Sequence, residues 1–389
     1  MVTGGGTGGH VYPAIAVADE LVRRGRSRAA VHFLGSARGL EARAVPAAGY
    51  GIDLLPGRGL QRSIRPSALL ENLRTAGATA RAFARALHLL RGWRPAVVLG
   101  VGGYAAAPGV LAARLLGIPV VVHEQNAAPG LVNRVAVALG ARAATSLPGT
   151  ALRGAVLTGN PVRSEIAAEH LREGGAGGFA PREPAGAAPW VGVFGGSLGA
   201  RRINDATLDL VRRWRERRVV IHHVSGRRDY QRCLGERDRP VVTGVRAGEP
   251  ARRAAEGRVE RDDDGIVYEL VEYEDHMPEL YARADVVVAR AGAVTVAELA
   301  VSGTPAVLVP LPGAPSDHQT ANATALVAAG AAVIVPDAEC DGARLASELD
   351  SLLGDPARLE AMGTAARGLA RPDAAARVAD LVEEAARGR

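Results

Sequence analysis

A run of glycines near the start of the chain has the composition of an anion-binding loop. Five of the seven residues at positions 4–10 lack a side chain. Bare backbone amides of this kind can close around a diphosphate, and glycine tolerates the positive φ values of a sharp turn between a strand and a helix. Residues 14–21 have the composition of a helix that follows the turn, so its N-terminus would point at the anion. The sequence therefore predicts a loop that binds a nucleotide or a sugar phosphate.

The spacing of Gly4, Gly6 and Gly9 also satisfies G-x-G-x-x-G, which is typical of nicotinamide- and flavin-binding folds. Those folds carry an acidic residue at the end of the second strand, whereas the predicted strand 30–34 runs into a Gly-Ser pair. The missing acid argues against a dehydrogenase, and no cofactor is predicted. A tight turn with a purely structural role is the other interpretation that stays open.

The composition is that of a soluble globular protein with room for two domains. The chain has 389 residues, of which 48% are hydrophobic and 23% charged. All 47 basic residues are arginine, so chemistry that needs a lysine is excluded. The net charge of +6 would suit a polyanion, but the arginines are spread along the whole chain and aromatic residues are only 4%, so nucleic acid is not predicted as a partner. The two cysteines, Cys233 and Cys340, have no neighbouring ligand cluster and indicate neither a zinc site nor a disulfide framework.

One segment has the pattern of an amphipathic helix. It carries apolar residues at alternating spacings of four and three: Leu69, Leu73, Ala76, Ala80, Phe83, Leu87 and Leu90. Arg74, Arg81 and Arg85 lie on its flank. Such a stripe suits an anionic membrane surface or the packing of a core equally well. Because the chain shows neither a leader nor an apolar run of spanning length, we expect any membrane contact to be peripheral.

Unbroken apolar strands alternate with helical runs, a pattern that predicts parallel sheets buried on both faces. The predicted strands include 96–100, 119–123, 190–194, 218–224, 285–289 and 306–310. Each half of the chain opens with a glycine turn after its first strand, at residues 4–10 and 195–200. The expected fold is therefore α/β, with two Rossmann-like domains facing across a cleft. We place the first domain at 1–160 and the second at 161–369, and we expect a C-terminal helix at about 370–389 to pack back on the first.

Polar residues follow several predicted strands at the edge where open α/β sheets bind ligands. A second glycine turn precedes Tyr104, and the strand 120–122 ends in His123-Glu-Gln-Asn126. In the second half, the amides around Thr295 suit a diphosphate, and Glu298 could accept two hydrogen bonds from a ribose diol. The polar cluster at 316–322 could recognise sugar hydroxyls. The only D-x-D triplet, at 262–264, has no preceding strand, so we predict no metal site there.

Together these segments resemble the MurG-type N-acetylglucosaminyltransferases of peptidoglycan synthesis, which are GT-B glycosyltransferases that convert lipid I to lipid II. The resemblance runs from Gly4 to about Val335 in the same order as in that family. The motifs that carry it are Gly-Gly-Thr-Gly-Gly-His10, Gly-Gly-Tyr104, His123-Glu-Gln-Asn126, Gly159-Asn-Pro-Val-Arg163, Gly-Gly-Ser197-x-Gly-Ala-Arg201, Gly292-Ala-x-Thr-x-x-Glu298 and Asp317-His-Gln319.

The resemblance implies a site for UDP-N-acetylglucosamine mainly on the second domain. The implied donor-binding residues there are Ser197, Glu274, Ala293, Val294, Thr295, Val296, Ala297, Glu298 and Gln319. Thr7, Gly8, Gly9, Asn126 and Arg163 would complete the donor site from the first domain and the hinge. The diphosphate of the lipid I acceptor would use the glycine turns of the first domain, including Gly102, Gly103 and Tyr104.

The reaction implied is a one-step inversion, in which the acceptor's C4 hydroxyl attacks the anomeric carbon and UDP leaves. His10 is the candidate base, because it follows the loop and histidine titrates near neutral pH. A backbone hydrogen bond that holds the loop is the other role open to His10. The enzyme would act as a peripheral protein on the cytoplasmic face of the plasma membrane.

This sequence departs from the family pattern at three places. Leu198 stands where the family usually has glutamine, and Glu274 replaces a usual apolar residue at the segment whose backbone binds uracil. The segment 234–265 is longer than expected.

Three other functions remain open on the sequence. The first is transfer of a UDP-sugar to a different lipid, such as diacylglycerol. The second is non-catalytic binding of a UDP-sugar. The third is an isomerase of the UDP-N-acetylglucosamine 2-epimerase kind, which needs no acceptor.

Overall fold

The computed structural model describes residues 1–56, 66–172, 187–196, 200–236, 265–314 and 317–388, with the backbone alone at 66–76 and 169–172. These residues form two compact units. The first comprises Met1–Ser164 together with Arg371–Arg389, and the second comprises Glu165–Ala370.

A seven-stranded parallel sheet forms the centre of the first unit. Its strands are β1 (Val2–Thr3), β2 (His32–Ser36), β3 (Gly51–Leu55), β4 (Val98–Gly100), β5 (Val120–Glu124), β6 (Arg142–Thr145) and β7 (Val156–Leu157). They lie in the order β3-β2-β1-β4-β5-β6-β7. The strand order therefore reverses between β1 and β4, and the carboxyl ends of strands at such a switch point are where open α/β sheets bind ligands.

Helices cover both faces of this sheet. They are α1 (Gly8–Arg23), α2 (Glu41–Ala47), α3 (Pro66–Trp93), α4 (Ala106–Leu115) and α5 (Leu131–Ala138). Successive residues of β5 point to opposite faces, so Val121 joins one apolar cluster while Val120 and Val122 join the other. Burial on both faces explains why the parallel strands read as unbroken apolar runs.

A six-stranded parallel sheet forms the second unit. Its strands are β8 (Trp190–Phe194), β9 (Val219–Val224), β10 (Ile266–Val271), β11 (Val286–Ala289), β12 (Ala306–Leu308) and β13 (Ala332–Ile334). Their order is β10-β9-β8-β11-β12-β13. Its helices are α6 (Ser164–Arg172), α7 (Arg201–Arg213), α8 (Tyr230–Glu236), α9 (Met277–Arg283), α10 (Ala293–Ser302), α11 (His318–Ala328), α12 (Gly342–Leu353) and α13 (Pro356–Gly368). The α/β class with two parallel sheets is confirmed.

The last helix, α14 (Ala374–Arg387), returns to the first unit and packs against α1. Val378 and Ala379 are fully buried in the same apolar cluster as Val17. Around this contact, the Arg24 guanidinium donates to Asp380 at 2.6 Å, to Glu383 at 3.2 Å and to the Ala376 carbonyl at 2.9 Å. The end of the chain is thus part of the first unit.

The described part of the amphipathic stripe belongs to the core. Leu90 is 1% exposed, and Phe83 and Leu87 pack partly buried on the same cluster, because α3 lies along α4. The Ala80 end is exposed. The side chains of Leu69, Leu73, Arg74 and Ala76 lie outside the described residues. Of the two interpretations of the stripe, core packing accounts for Phe83, Leu87 and Leu90, and contact of the remaining part with a membrane stays a prediction.

Candidate functional site

The glycine loop follows β1 and opens α1, as the sequence predicts. Gly6 has a φ of +99°, and Thr7 is the N-cap of α1 with its side chain exposed. The amides of Gly8 and Gly9 are the first two of the helix, a position without an intrahelical acceptor. Amides at this position can donate to an anion at the helix N-terminus.

A buried carboxylate, which the sequence analysis missed, holds the other side of this loop. Glu41, at the first position of α2, is 1% exposed and accepts hydrogen bonds from the amides of Gly6 and Ser36, each at 2.8 Å. A Cβ atom at Gly5 or Gly39 would overlap this side chain. An acidic side chain is thus present near the end of β2, five residues beyond Ser36. It binds the loop itself, so part of the loop's anion-binding capacity is already used within the protein.

The second glycine turn lies directly against the first. Gly102 and Gly103 have φ values of +83° and +74°, and a Cβ atom at Gly103 would lie 2.6 Å from the Gly5 carbonyl oxygen. Tyr104 is 42% exposed, and its hydroxyl donates to Ser36 Oγ at 3.3 Å. The carboxyl ends of β1, β2 and β4 therefore bring two glycine turns and an exposed phenol together.

His10 lies in the first turn of α1, where its ring contacts the second glycine turn. Its Nδ1 atom is 3.1 Å from Oε1 of Gln125, a side chain that is 1% exposed. A Cβ atom at Gly103 would lie 3.1 Å from His10 Cδ2 and 3.5 Å from Nε2. The structure thus joins the candidate base to the strand-end motif on β5.

The rest of that motif organises the loop after β5. Glu124 is 3% exposed and accepts from the amide of Asn126 at 3.0 Å, the amide of Gly130 at 2.9 Å and Asn133 Nδ2 at 2.8 Å. Asn126 is half-buried at the start of this loop. The Glu124 carboxylate therefore sets the loop conformation that presents Asn126.

Arg163 lies at the end of the first unit, with its guanidinium 4.4 Å from the centroid of the Tyr12 ring on α1. This cation–π contact brings the predicted hinge residue to the helix that follows the glycine loop.

In the second unit, the N-terminus of α10 forms a second anion-binding position. Gly292 is the N-cap, so the amides of Ala293, Val294 and Thr295 have no intrahelical acceptor. Thr295 and Ala297 are half-buried, whereas Val296 is buried. The partial positive charge at this helix end favours a diphosphate.

Glu298 lies within α10 and Gln319 lies at the start of α11, and each already has an internal partner. Glu298 is 2% exposed, and its Oε2 accepts from the Tyr281 hydroxyl at 3.0 Å. Gln319 Oε1 accepts from the Leu311 amide at 2.9 Å, so its amide nitrogen is the atom that remains to donate to a sugar. A carboxylate has lone pairs for about four hydrogen bonds, so Glu298 can keep Tyr281 and still accept from a ribose.

Glu274 is held by a histidine that the sequence analysis did not single out. His222, 6% exposed on β9, has Nδ1 2.8 Å from Glu269 Oε2 and Nε2 3.0 Å from Glu274 Oε2. Glu274 Oε1 also accepts from the His276 amide at 2.6 Å. The His222 ring stacks on Trp190 at 5.2 Å. Both carboxylate oxygens of Glu274 therefore have partners within the second unit, and one of these partners is the backbone of its own segment.

Opposing effects set the ionisation of this cluster. Burial by itself disfavours the imidazolium of His222, but the hydrogen bonds that its ring donates to Glu269 and Glu274 outweigh this effect and raise its pKa. Burial likewise opposes both carboxylates, yet their hydrogen bonds to His222 hold the pKa of Glu269 and of Glu274 below the ordinary value. His222 is thus stabilised as a cation between two anions.

Ser197 and Leu198 lie outside the described residues, as does the triplet at 262–264. Within the described ranges, no group of three or more His, Cys, Asp or Glu side chains is arranged to hold a metal ion.

We expect the Glu41→Gln variant to be destabilised by about 1–3 kcal/mol, because the amides of Gly6 and Ser36 bind different oxygens of Glu41 and one of these oxygens becomes an NH2 donor, which leaves one backbone N–H without its acceptor. Chemical denaturation monitored by circular dichroism measures this. The matched control is Glu384→Gln, which removes an ion pair to Arg142 in which both side chains are about half exposed; its cost should stay within about 1 kcal/mol. Equal losses in the two variants would show that Glu41 does not brace the loop.

Thermal stability should depend on pH through His222. A raised histidine pKa stabilises the fold below the ordinary value of 6.5, and this contribution is lost as the pH rises through the folded-state pKa. The lowered glutamate pKa values stabilise it above the ordinary value of 4.5, and that contribution is lost as the pH falls. The difference in Tm between the wild type and His222→Gln should therefore be largest between these two values and shrink at alkaline pH. His88→Gln, at an exposed histidine on α3, is the control; a pH-independent difference for His222→Gln would contradict the assignment.

Comparison with known proteins identifies the family. The model of the glycosyltransferase family 28 N-terminal domain matches residues 1–145, and that of the C-terminal domain matches residues 190–378. The chain is 43% identical over 390 residues to the UDP-N-acetylglucosamine–N-acetylmuramyl-(pentapeptide) pyrophosphoryl-undecaprenol N-acetylglucosamine transferase of Alkalilimnicola ehrlichii, covering 100% of this chain and 99% of that protein. A transferase of the same name from Halorhodospira halophila is 43% identical over 389 residues, covering 100% and 98%.

A solved structure agrees with the sequence comparisons. The crystal structure of MurG from Acinetobacter baumannii matches with a TM-score of 0.72 and 30% identity over 99% of both chains. The two parallel-sheet units are thus those of a GT-B glycosyltransferase. This chain belongs to glycosyltransferase family 28.

Proposed function

We propose that this enzyme transfers N-acetylglucosamine from UDP-N-acetylglucosamine to the C4 hydroxyl of the N-acetylmuramoyl group in lipid I, which gives lipid II. The observation that carries the proposal is the full-length similarity to transferases whose names state that donor sugar and a pyrophosphoryl-undecaprenol acceptor. A transferase acting on another lipid would share the donor residues and differ in the first unit, but this similarity extends over both units.

In this proposal the second unit binds the donor. The amides of Ala293, Val294 and Thr295 meet the diphosphate, Glu298 accepts from the ribose, and the Gln319 amide donates to the sugar. The backbone around Glu274 contacts uracil, and His222 fixes that backbone by holding the Glu274 side chain. Ser197 would add a contact to the diphosphate.

The first unit supplies the acceptor site and the base. The turn at Gly102, Gly103 and Tyr104 meets the acceptor's diphosphate. The hydroxyl oxygen of the acceptor attacks the anomeric carbon, its proton passes to His10, and the bond between that carbon and the diphosphate oxygen breaks. The electrons of that bond leave with UDP, and helix-terminal amides stabilise the developing charge. No covalent intermediate is needed.

Release of UDP from UDP-N-acetylglucosamine, measured with and without lipid I in detergent, tests this function. Rapid release that requires lipid I is the expected result. Release with diacylglycerol alone would indicate the other lipid substrate, formation of an epimerised donor without acceptor would indicate an isomerase, and donor binding without release would indicate a binding protein.

The ribose contact can be tested on its own by calorimetry. We expect Glu298→Ala to weaken UDP binding by about tenfold to a hundredfold, since hydrogen bonds to a charged group contribute about 1.5–3 kcal/mol. The variant should bind 2′,3′-dideoxy-UDP as the wild type does, because that analogue lacks both hydroxyls. Tyr281→Phe, which removes the internal donor and keeps the carboxylate, is the control. Unchanged UDP affinity in Glu298→Ala would refute the contact.

We also propose that the enzyme meets the cytoplasmic membrane surface through the exposed face of α4 and α5. None of the described helices is long and apolar enough to cross a membrane. Leu131 and Leu139 are 72% and 48% exposed on or next to α5, and Leu115 is 67% exposed at the end of α4. Arg134 lies exposed on α5, where it could meet anionic headgroups. Apolar residues beside a cation are the composition of an interfacial surface.

Flotation with vesicles of phosphatidylcholine and phosphatidylglycerol tests this surface. We expect the double variant Leu131→Gln, Leu139→Gln to bind at least about tenfold more weakly, because burial of a leucine side chain contributes roughly 1.5–3 kcal/mol. Leu369→Gln, at a 37% exposed leucine of the second unit, should bind as the wild type does. Equal binding by all three proteins would exclude α5 as the contact.

A further inference from the structure

A buried chain of side chains connects His10 to the backbone of the first unit. Gln125 and His123, both on or next to the end of β5, are each 1% exposed. Gln125 lies between the two histidines, with Oε1 3.1 Å from His10 Nδ1 and Nε2 3.1 Å from His123 Nδ1. His10 and Gln125 are 115 residues apart in sequence, and Gln125 lies on the Nδ1 side of the candidate base.

A backbone carbonyl fixes which end of the Gln125 amide is which. Nε2 lies 2.9 Å from the Val101 carbonyl oxygen, and a carbonyl can only accept. The atom that faces Val101 must therefore be the amide nitrogen. The oxygen of the same amide then faces His10, so the hydrogen bond between them requires a proton on His10 Nδ1.

A second carbonyl fixes the other end of the chain. His123 Nε2 is 3.0 Å from the Gly159 carbonyl oxygen, with Ser146 Oγ at 3.5 Å, so Nε2 carries the proton. Burial lowers the pKa of His123 to about 4, against the opposing effect of the Gly159 hydrogen bond, so its ring is neutral at neutral pH. Its Nδ1 is then an acceptor, which matches the second N–H of Gln125. Only one placement of the protons gives an acceptor to every N–H group that links His10, Gln125 and His123.

We propose that Gln125 is a positioning residue that holds His10 in the Nδ1–H tautomer and thereby makes Nε2 the atom that accepts the proton of the acceptor hydroxyl. This rests on the proposed function. Gly103, which the proposed function assigns to the acceptor site, lies against the Nε2 side of the ring. Nε2 is therefore the ring nitrogen on the side of the proposed acceptor. Free histidine in water prefers the opposite tautomer, with the proton on Nε2, so the protein must impose this one.

Nitrogen NMR of ring-labelled histidine tests the tautomer without any substrate, and a His10→Asn variant assigns the signal. In the wild type above the pH at which His10 titrates, Nδ1 should show the shift of a protonated ring nitrogen and Nε2 that of an unprotonated one. In Gln125→Met, which has similar volume and no hydrogen-bonding amide, the Nε2–H form should gain population. A wild-type spectrum with the proton on Nε2 would overturn the proposal.

Kinetics separate positioning from packing. Gln125→Met should lower kcat by about a hundredfold, as loss of general base catalysis does, with KM values for donor and acceptor within about threefold of the wild type. Gln125→Glu keeps an oxygen that accepts from Nδ1–H. Its carboxylate also favours the imidazolium, so the acid limb of kcat/KM should move to higher pH. His123 loses the donor to its Nδ1 in both variants, whereas Glu124, Glu41 and Tyr104 keep the hydrogen bonds described above.

The outcomes distinguish this proposal from the function on which it rests. If the wild type releases no UDP with lipid I, the proposed function fails while the NMR result stands by itself. If the wild type is active and Gln125→Met keeps kcat within about twofold, or Gln125→Glu leaves the pH profile unmoved, Gln125 does not position the base.

Discussion

The first unit depends on one steric constraint, the close approach of two glycine turns at the carboxyl edge of β1 and β4. A side chain at Gly103 would overlap the Gly5 carbonyl, and one at Gly5 would overlap Glu41. Only residues without Cβ atoms allow these turns to meet, and only then do α1 and the strand-end motif of β5 come within reach of each other. The glycines are therefore required by packing between turns as well as by any bound anion.

Buried polar groups, each with a backbone partner, give this region its rigidity. Glu41 accepts from two amides, Glu124 accepts from two amides of its loop region, and Gln125 donates to a carbonyl. Buried polar groups are costly unless they are satisfied, so each of these side chains has a single favourable position. These hydrogen bonds hold in place the two turns that present the exposed residues Thr7 and Tyr104.

The second unit shows how a change from the family pattern is accommodated. A glutamate in place of an apolar residue at position 274 would be unfavourable at its partly buried site without a cation. His222 donates to Glu274 and to Glu269, and these two hydrogen bonds favour its cationic form. The His276 amide donates to the Glu274 carboxylate, so this side chain also holds the backbone of its own segment.

The sequence by itself determined the parallel-sheet class, the two halves and the strand–turn–helix context of the glycine loop at 4–10, because each follows from local composition and periodicity. The order of the motifs along the sequence also indicated the family. Only the tertiary structure decided that Glu41 occupies the first loop, that His222 holds Glu274, and that Gln125 joins His10 to His123. Glu41 is 35 residues from Gly6, His222 is 52 residues from Glu274 and Gln125 is 115 residues from His10, and no local pattern records which distant groups meet. The described half of the α3 stripe is a further case, since helical periodicity is the same against a core as against a membrane.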